Sequence, residues 1–339
     1  MATTLTISSP GLDTNNPDAG RIKMYLTLFG GEVLTAYRKN SVTLGRHMER
    51  TIPNGKAANF PVLGRKVAQY LTPGNSLDDI RRAEQQTEVT IKIDGLLTAD
   101  SLITDLDDFM NHYDVRREYA YQIGEALAMA RDGGILAEIA KASLIEQELL
   151  PGLGKGKVVT RTIEGGMTTE SEALGKAIIS MLLEVKTAMS KNYVPNDGRV
   201  CYMLPVGVNA LVASKDAINR DFGAQASIID ANVVRIAGID VVECPHLTVG
   251  GVTKTDNGTP DGLIQGVGHA FPTAYKDKCI FLVAHRSTVG TLVLKSFAIE
   301  HGRRIDYQAD QIVGKYAMGH GMLRAEAAFM GVIETAPGV

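Results

Sequence analysis

Tryptophan is absent from this 339-residue sequence, and aromatic residues make up only 6% of it. So few aromatic side chains disfavour a base-stacking platform of the kind that binds single-stranded nucleic acid. An excess of one charge sign is lacking too, because 35 basic and 38 acidic residues leave a formal net charge of only −3. Proteins that hold nucleic acid tightly usually carry a basic excess. We therefore expect any contact with nucleic acid to be weak and without sequence specificity.

Cysteine is scarce, with three residues far apart at Cys201, Cys244 and Cys279. None has a second Cys or a His at the spacing of a metal site, so we predict reduced, mostly buried thiols in a protein made in a cytoplasm. No apolar run reaches about 18 residues, which excludes a membrane-spanning helix. The first 22 residues lack a signal-peptide pattern and are predicted to form a polar, mobile arm.

One stretch, MNHYDVRREYAYQIGEALAM (110–129), concentrates groups that could do chemistry: His112, Asp114, Arg116, Arg117 and Glu118. His112 and Asp114 are two residues apart, so on a helix they point to different sides and cannot form a dyad. We therefore interpret the stretch as a helix with a polar contact face rather than as an active site.

Other motifs are incomplete. GLGKGK (152–157) is one residue shorter than a phosphate-binding loop, and Val158 follows where Ser or Thr is needed. The histidines of GHG (319–321) and AHRS (284–287) have neither a metal-spaced partner nor a GxSxG elbow. We assign no catalytic, cofactor-binding or metal-binding residue.

A long two-stranded arm is predicted between residues 59 and 95. Val62, Val67, Tyr70 and Leu71 suggest one strand, PGNS (73–76) a turn, and the alternation in EVTIKI (88–93) a second strand. A lone hairpin is marginally stable in water, and its flanks offer little apolar sequence. We expect it to lie on another subunit.

A long helix is predicted from about residue 101 to 143, capped by Asp100 or Ser101. Unbroken, it would span roughly 60 Å, more than a compact domain needs. Its apolar stripe begins at Leu102 and includes the predicted core residues Leu106, Phe109, Tyr113, Ile123 and Leu127. A second helix is predicted at about 170–190, with an apolar stripe of Leu174, Ile178, Met181, Val185 and Met189. Mixed strands and helices follow, including a hairpin at VVRIAGIDVVECPHL, without regular βαβ alternation, which predicts an α+β fold.

Several long sequence blocks carry a resemblance to a known family. They include FGGEVLTAYRKNSVTLGRHMER, FPVLGR, IDGLLTAD, MNHYDVRREYAYQIGEALAMARDG, VVECPHLT, HRSTVGT and KYAMGHGMLRAEAA. Together they resemble the major capsid proteins of short-tailed double-stranded DNA bacteriophages (podoviruses of the autographivirus type). The resemblance covers about residues 24–328 and departs from the family pattern in two loop-like regions, about 145–172 and 250–277.

This resemblance implies the Hong Kong 97-type capsid fold. It implies an N-terminal arm (1–58), an extended hairpin loop (59–95), a peripheral domain (96–197) with a spine helix at about 101–143, and an axial domain (198–281). Residues 282–339 would return to the axial core and the peripheral domain. The implied product is an icosahedral shell of hexamers and pentamers around double-stranded DNA.

The resemblance also implies partners and contact residues. The partners are further copies of the chain, a scaffolding protein, a portal protein and packaged DNA, in a virion assembled in the bacterial cytoplasm, with no membrane and no cofactor. The loop cations and the helix acids are the candidates for inter-subunit ion pairs: Arg65, Lys66, Arg81, Arg82, Asp107, Asp108, Asp114 and Glu118. An exposed pair contributes only about 0–1 kcal/mol, so many copies must add up.

Two other functions remain open at this point. An encapsulin-like compartment of the same fold would store protein cargo instead of DNA. A mixed α+β enzyme using His112 or His320 would form a small oligomer and lose turnover when that histidine is replaced.

Overall fold

Two structural units make up the chain in the computed structural model, which describes residues 33, 35–37, 41–66, 68–81, 85–104, 115–167, 171–214, 235–252 and 269–335. Unit 1 comprises Met1–Ser41, Leu96–Met129 and Lys295–Ala317. Unit 2 comprises Val42–Gly95, Ala130–Leu294 and Met318–Val339. Helices and strands are mixed along the chain, which confirms the α+β prediction. The predicted five-part division of the chain stays a prediction.

The elements follow one another in an irregular order. The helices are α1 (Leu77–Ile80), α2 (Val115–Ser143), α3 (Glu172–Lys191) and α4 (Pro205–Ala213). The strands are β1 (Met48–Thr51), β2 (Ala57–Leu63), β3 (Gln86–Lys92), β4 (Gly95–Thr104), β5 (Lys157–Ile163), β6 (Arg199–Met203), β7 (Arg235–Ile236), β8 (Ile239–Glu243), β9 (Cys279–His285), β10 (Val289–Arg304), β11 (Ala309–Met322) and β12 (Ala328–Thr335). In the part of the chain that the structure describes, no helix has the length and apolar character needed to cross a membrane.

A six-stranded mixed sheet organises unit 2, in the order β5-β12-β9-β6-β8-β7. β12 is parallel to β5 and antiparallel to β9, and β6 is antiparallel to β9 and parallel to β8. β7 and β8 form the hairpin expected from VVRIAGIDVVECPHL. The sheet therefore combines strands from residues 157 to 335.

Both faces of this sheet are covered, which explains why every residue of β6 is buried. Cys201 and Met203 lie in the cluster formed with α3 and α4. Val200 and Tyr202 lie in the opposite cluster, with Ile135 and other residues of the C-terminal part of α2. Alternate side chains of a strand point to opposite faces, so a fully buried strand needs a layer on each side.

Helix α3 forms where the sequence predicts it. The Ser171 hydroxyl accepts a hydrogen bond from the amide of Leu174 at 3.2 Å, which satisfies an unpaired N–H at the helix start. Residues at helical spacing then turn one apolar stripe into the sheet: Leu174, Ile178, Met181, Val185 and Met189, all fully buried. The predicted stripe of this helix is confirmed.

The predicted start of the long helix is wrong. Residues Gly95–Thr104 form strand β4, with a burial pattern that alternates along the strand, and the described helix α2 covers Val115–Ser143. Leu102, the first residue of the predicted stripe, is exposed, and its neighbour Ile103 is buried. In unit 1, β4 gains backbone hydrogen bonds as the neighbour of β11, so the period-two pattern prevails over the helical one. With 29 residues, α2 measures about 44 Å.

Candidate functional site: the exposed hairpin and the polar cluster at its base

The hairpin of β2, β3 and the residues joining them is paired as predicted at its base. Ala57 pairs with Lys92 and Leu63 with Gln86 at the two ends of the antiparallel register. Its outer face is polar, because the Asn59 amide donates to Glu88 at 2.8 Å and the Thr90 hydroxyl donates to the Asn59 amide oxygen at 2.9 Å. These cross-strand contacts hold the two strands in register.

The inner face of the hairpin base packs on its own chain, contrary to the expectation that its flanks offer little core. Phe60 and Ile91 are buried together with Ile52, Leu292 and Leu323. Leu292 and Leu323 lie more than 200 residues further along the chain, and Ile52 precedes the hairpin. The alternation within the hairpin therefore did not show these partners. The base therefore has intramolecular support.

In the hairpin tip, defined here as the described residues of 64–81, no apolar side chain whose burial is described is buried. Strand β2 ends at Leu63, so the prediction that Tyr70 and Leu71 belong to the strand is wrong, and Val67 lies outside the described residues. Among the described residues, the pairing of β3 with β2 ends at Leu63, and residues 68–71 have no partner strand there. Gly74 supplies a positive φ of 94° in the predicted turn. Large apolar side chains in and beside the tip are exposed: Leu63, Tyr70, Leu71 and Leu77.

The tip cations are placed differently from one another. Arg65 stacks over the ring of Tyr193 at 4.5 Å and donates a hydrogen bond to the carbonyl oxygen of Asn192, both within unit 2. Lys66 is exposed. Arg81 forms an exposed ion pair with Asp78 at 2.9 Å, and Arg82 lies outside the described residues. Their role in contacts between subunits stays a prediction.

The acidic candidates fall largely outside the described residues, which include none of Asp107, Asp108 and Asp114. Glu118 is exposed on the first turn of α2 and accepts a hydrogen bond from Gln122 at 3.4 Å. The sequence placed these acids on one predicted helix, but the structure describes Glu118 alone among them. No pairing between them and the tip cations is described.

Two of the five predicted spine-helix core residues are described. Ile123 and Leu127 are buried in unit 1, where a Cβ at Gly314 would lie 2.9 Å from Ile123 and 3.0 Å from Leu127. Such close approach indicates tight packing of α2 against β11. Leu106, Phe109 and Tyr113 lie outside the described residues.

A partly buried polar cluster lies at the hairpin base, and no pattern in the sequence indicated it. His269 lies between two carboxylates, with its Nε2 2.6 Å from Asp94 Oδ2 and its Nδ1 2.9 Å from Glu138 Oε1. Lys141 adds an ion pair with Glu138 at 2.7 Å. The ring of His320 lies edge-on to that of His269 at 5.2 Å. We call these five residues the His269 cluster.

The pKa values of the two histidines in this cluster are shifted in opposite directions. Burial lowers the pKa of His269, but its hydrogen bonds to Asp94 and Glu138 outweigh burial and raise that pKa to about 9. Burial, followed by the charge of His269, holds the pKa of His320 well below its usual value. The cluster therefore holds one charged and one neutral imidazole, because two adjacent buried charges of one sign are costly.

His320 is structural in its setting. It is half-buried and is hydrogen-bonded through Nδ1 to the Thr291 hydroxyl at 3.0 Å. The glycines of GHG have a steric reason, since a Cβ at Gly319 would overlap the carbonyl oxygen of Lys92. No signal of spacing could have found His269, because Asp94 and Glu138 are remote from it in sequence and the histidine stands alone.

A second polar group in unit 2 lies near His320. Arg131, buried on α2, forms an ion pair with Glu49, and His47 Nε2 lies 3.3 Å from the same carboxylate. Burial, followed by the charge of Arg131, lowers the pKa of His47. Among the described residues, no group of three or more His, Cys, Asp or Glu could hold a metal ion. These side chains hold the backbone segments together.

The chain is similar in sequence and fold to known capsid proteins. A family model described as "Gp10A-like: Major capsid protein" matches residues 59–332. The major capsid protein of Escherichia phage T7 is 47% identical over 322 residues, covering 91% of each chain, and that of Enterobacteria phage T3 gives the same values. The capsid structure of the cyanophage P-SCSP1u matches with a TM-score of 0.71 and 29% identity, over 87% of this chain and 89% of that chain. The fold is thus of the Hong Kong 97 type.

Proposed function

Because this chain belongs to the Gp10A-like major capsid protein family, a family of structural shell proteins rather than enzymes, we propose that its hairpin joins neighbouring subunits into hexameric and pentameric capsomers. The chain is a component of the icosahedral capsid of a bacteriophage virion and assembles with copies of itself. The proposal concerns which surface makes the contact.

The observation that carries the proposal is the exposure of apolar side chains on the hairpin tip. Tyr70 is fully exposed, Leu77 is 64% exposed and Leu71 is 46% exposed. Every described tip residue whose burial is defined, apart from Gly64, is exposed. Clustered exposed apolar groups on an extended segment are characteristic of an interface that is filled by a partner. A second copy of the chain is the partner that a shell supplies.

The polar tip residues would add specificity to this contact rather than strength. Arg81 is exposed and is already paired with Asp78, so exchange for an acid of a neighbour gains little free energy. Lys66 and Arg82 complete the basic side of the proposed contact, and Glu118 with Asp107, Asp108 and Asp114 would supply the acidic side. Complementary charges of this kind select the orientation of two subunits.

The further partners belong to the proposal as well. A scaffolding protein and a portal protein would direct closure of the shell in the bacterial cytoplasm, and double-stranded DNA would be packaged inside. The formal net charge of −3 supports loose, sequence-independent contact with that DNA. The phage relatives favour this role over an encapsulin-like compartment.

The test is a double variant, Leu71→Ser with Leu77→Ser, co-expressed with a scaffolding partner. Loss of two buried Leu side chains would cost roughly 3 kcal/mol per subunit contact, so we expect the fraction of chain in closed shells to fall more than about tenfold. Sedimentation velocity measures that fraction, and electron microscopy of the fastest material identifies shells.

The matched control is Leu183→Ser, the same substitution at an exposed leucine of α3. It should leave shell yield near the wild-type level, and circular dichroism should show both variants folded. Normal shells from the double variant would remove the hairpin tip from the interface. Equal loss in the control would show that exposed leucines in general, and not the tip, drive association.

A further inference from the structure

His269 joins three segments that are far apart in the chain. Asp94 follows β3 at the base of the hairpin, Glu138 lies on α2, and His269 precedes the 3-10 turn at Thr273–Tyr275. Its two ring nitrogens lie 2.6 Å and 2.9 Å from the two carboxylates. Carboxylates only accept hydrogen bonds, and a neutral imidazole has a single N–H to donate. Both contacts are made together only when His269 is an imidazolium ion.

Among the residues that the structure describes, the charges around His269 come from four parts of unit 2. The negative groups nearest to it are Asp94 and Glu138, and Lys141 shares the Glu138 carboxylate. The neighbouring ring on β11 is His320, which is neutral. Beyond His320 lie the charged or titratable residues Arg131, Asp132, His47 and Glu49. Two anions against one shared Lys leave the immediate surroundings of His269 favourable for a cation.

We propose that protonated His269 is an alkali-sensitive latch that holds the base of the hairpin to α2. With His269 charged, Asp94 and Glu138 are each satisfied by an N–H. When the proton leaves, the ring keeps a single N–H and can serve only one of the two carboxylates. Glu138 retains its ion pair with Lys141, so the carboxylate that loses its described donor is Asp94, which is only 28% exposed. A largely buried unpaired charge is costly, so the hairpin base separates from the helix.

The backbone around Asp94 shows what would move. The Asp94 amide donates to the carbonyl of Met318 at 3.2 Å, and the Ile93 amide donates to Lys56 at 2.8 Å. The latch therefore sits where the hairpin leaves the strands of unit 2. Its effect on shells rests on the proposed function of the hairpin, but its effect on the subunit does not.

The direction of the pH dependence follows from the two partners. The pKa of His269 is raised from 6.5 to about 9, so its contribution is complete below about 6.5 and is lost as the pH rises through about 9. Burial raises the pKa of Glu138, but its hydrogen bond from His269 and its contact with Lys141 lower it overall. The Glu138 contribution is present above about 4.5 and is lost only at lower pH. The latch is closed at neutral pH and opens in alkali.

The experiment is hydrogen exchange on the full-length protein between about pH 7.5 and pH 10, with rates divided by the intrinsic rate at each pH. Protection of the peptide covering 86–94 should fall by roughly tenfold, since the open fraction rises tenfold per pH unit beyond the folded pKa. The peptide covering 172–191 in α3 is the internal control and should keep its protection. Equal loss in both peptides, or no loss in either, overturns the latch.

Two variants separate the latch from general destabilisation. Asp94→Asn removes one carboxylate and should move the midpoint of the 86–94 transition to lower pH by about one unit or more. His269→Gln should show low protection of 86–94 already at neutral pH and no further pH step; a retained step would assign the titration to another group. If His269→Gln does not fold, the Asp94→Asn midpoint decides alone, and an unchanged midpoint refutes the proposal. Shell formation is not used as a readout, so failure of the hairpin-tip variants would leave this result intact.

Discussion

Replacing Gly133 by Ala sets helix propensity against packing at one position of α2. Ala is favoured over Gly inside a helix by about 1 kcal/mol. At Gly133, however, a Cβ would overlap the carbonyl oxygen of Gly250 and lie 2.5 Å from its carbonyl carbon and 3.1 Å from the Gly251 nitrogen. All three are backbone atoms, which cannot rotate away as a side chain can.

The size of the loss follows from that distance. Carbon atoms pack at about 3.5–4.0 Å, so the segment at Gly250 would have to shift by about 1 Å. Forced overpacking typically costs about 1–3 kcal/mol, and a clash with backbone on both sides belongs at the upper end. Subtracting the propensity gain of about 1 kcal/mol leaves a net loss of about 2 kcal/mol.

Urea unfolding of the purified, unassembled chain measures this loss as a lower midpoint at an unchanged slope. Gly302→Ala is the matched control, because a Cβ there meets no atom within 4 Å and the backbone is not in the left-handed region. The control should be neutral or slightly stabilising. If Gly133→Ala is as stable as the control, the close approach of α2 to the chain at Gly250 is refuted.

Two further predictions concern buried groups. Leu127→Asp should prevent soluble assembly, because Leu127 is 1% exposed and an unpaired buried carboxylate is costly. Met129→Asp, at an exposed position of the same helix, should leave assembly intact. Normal shells from Leu127→Asp would refute the apolar stripe of α2. Burial raises the pKa of Cys244 and Cys279 to about 12 and raises that of Cys201 further. Native protein at about pH 8 should therefore show no rapid reaction with a disulfide reagent, whereas all three thiols should react in guanidinium. Rapid labelling of one native thiol would contradict their burial.

Helix α3 and strand β4 show what local pattern can and cannot decide. In α3, the five-residue apolar stripe predicted the helix nearly to its ends, and the Ser171 cap found in the structure agrees with that start. Before α2, Leu102 falls on the helical spacing of the stripe, whereas the burial of residues 95–104 in the folded chain alternates with period two. The choice between the two depends on the hydrogen bonds offered by β11, which is distant in sequence and therefore invisible to a local pattern.

In the candidate site too, features set by local sequence could be predicted and those formed by distant residues could not. The extended hairpin could be predicted because alternation and turn residues are local, and the GHG motif was singled out for its histidine although the tight position is Gly319. The His269 cluster could not be predicted, since its carboxylates at Asp94 and Glu138 meet the ring only after folding. Buried polar partners of this kind leave no periodic signal.

Two parallel strand pairings between distant parts of the chain constrain the order in which it can fold. β1 pairs in parallel with β10, Met48 opposite Gly290, and β5 pairs in parallel with β12, Val159 opposite Gly331. At a synthesis rate of about 5–20 residues per second, β1 waits roughly 10–50 s for its partner to be made. Pairings of such high sequence separation also form slowly once the partner exists. The sheets of the subunit are therefore complete only after residue 335 has left the ribosome, and shell assembly draws on chains whose synthesis has passed that point.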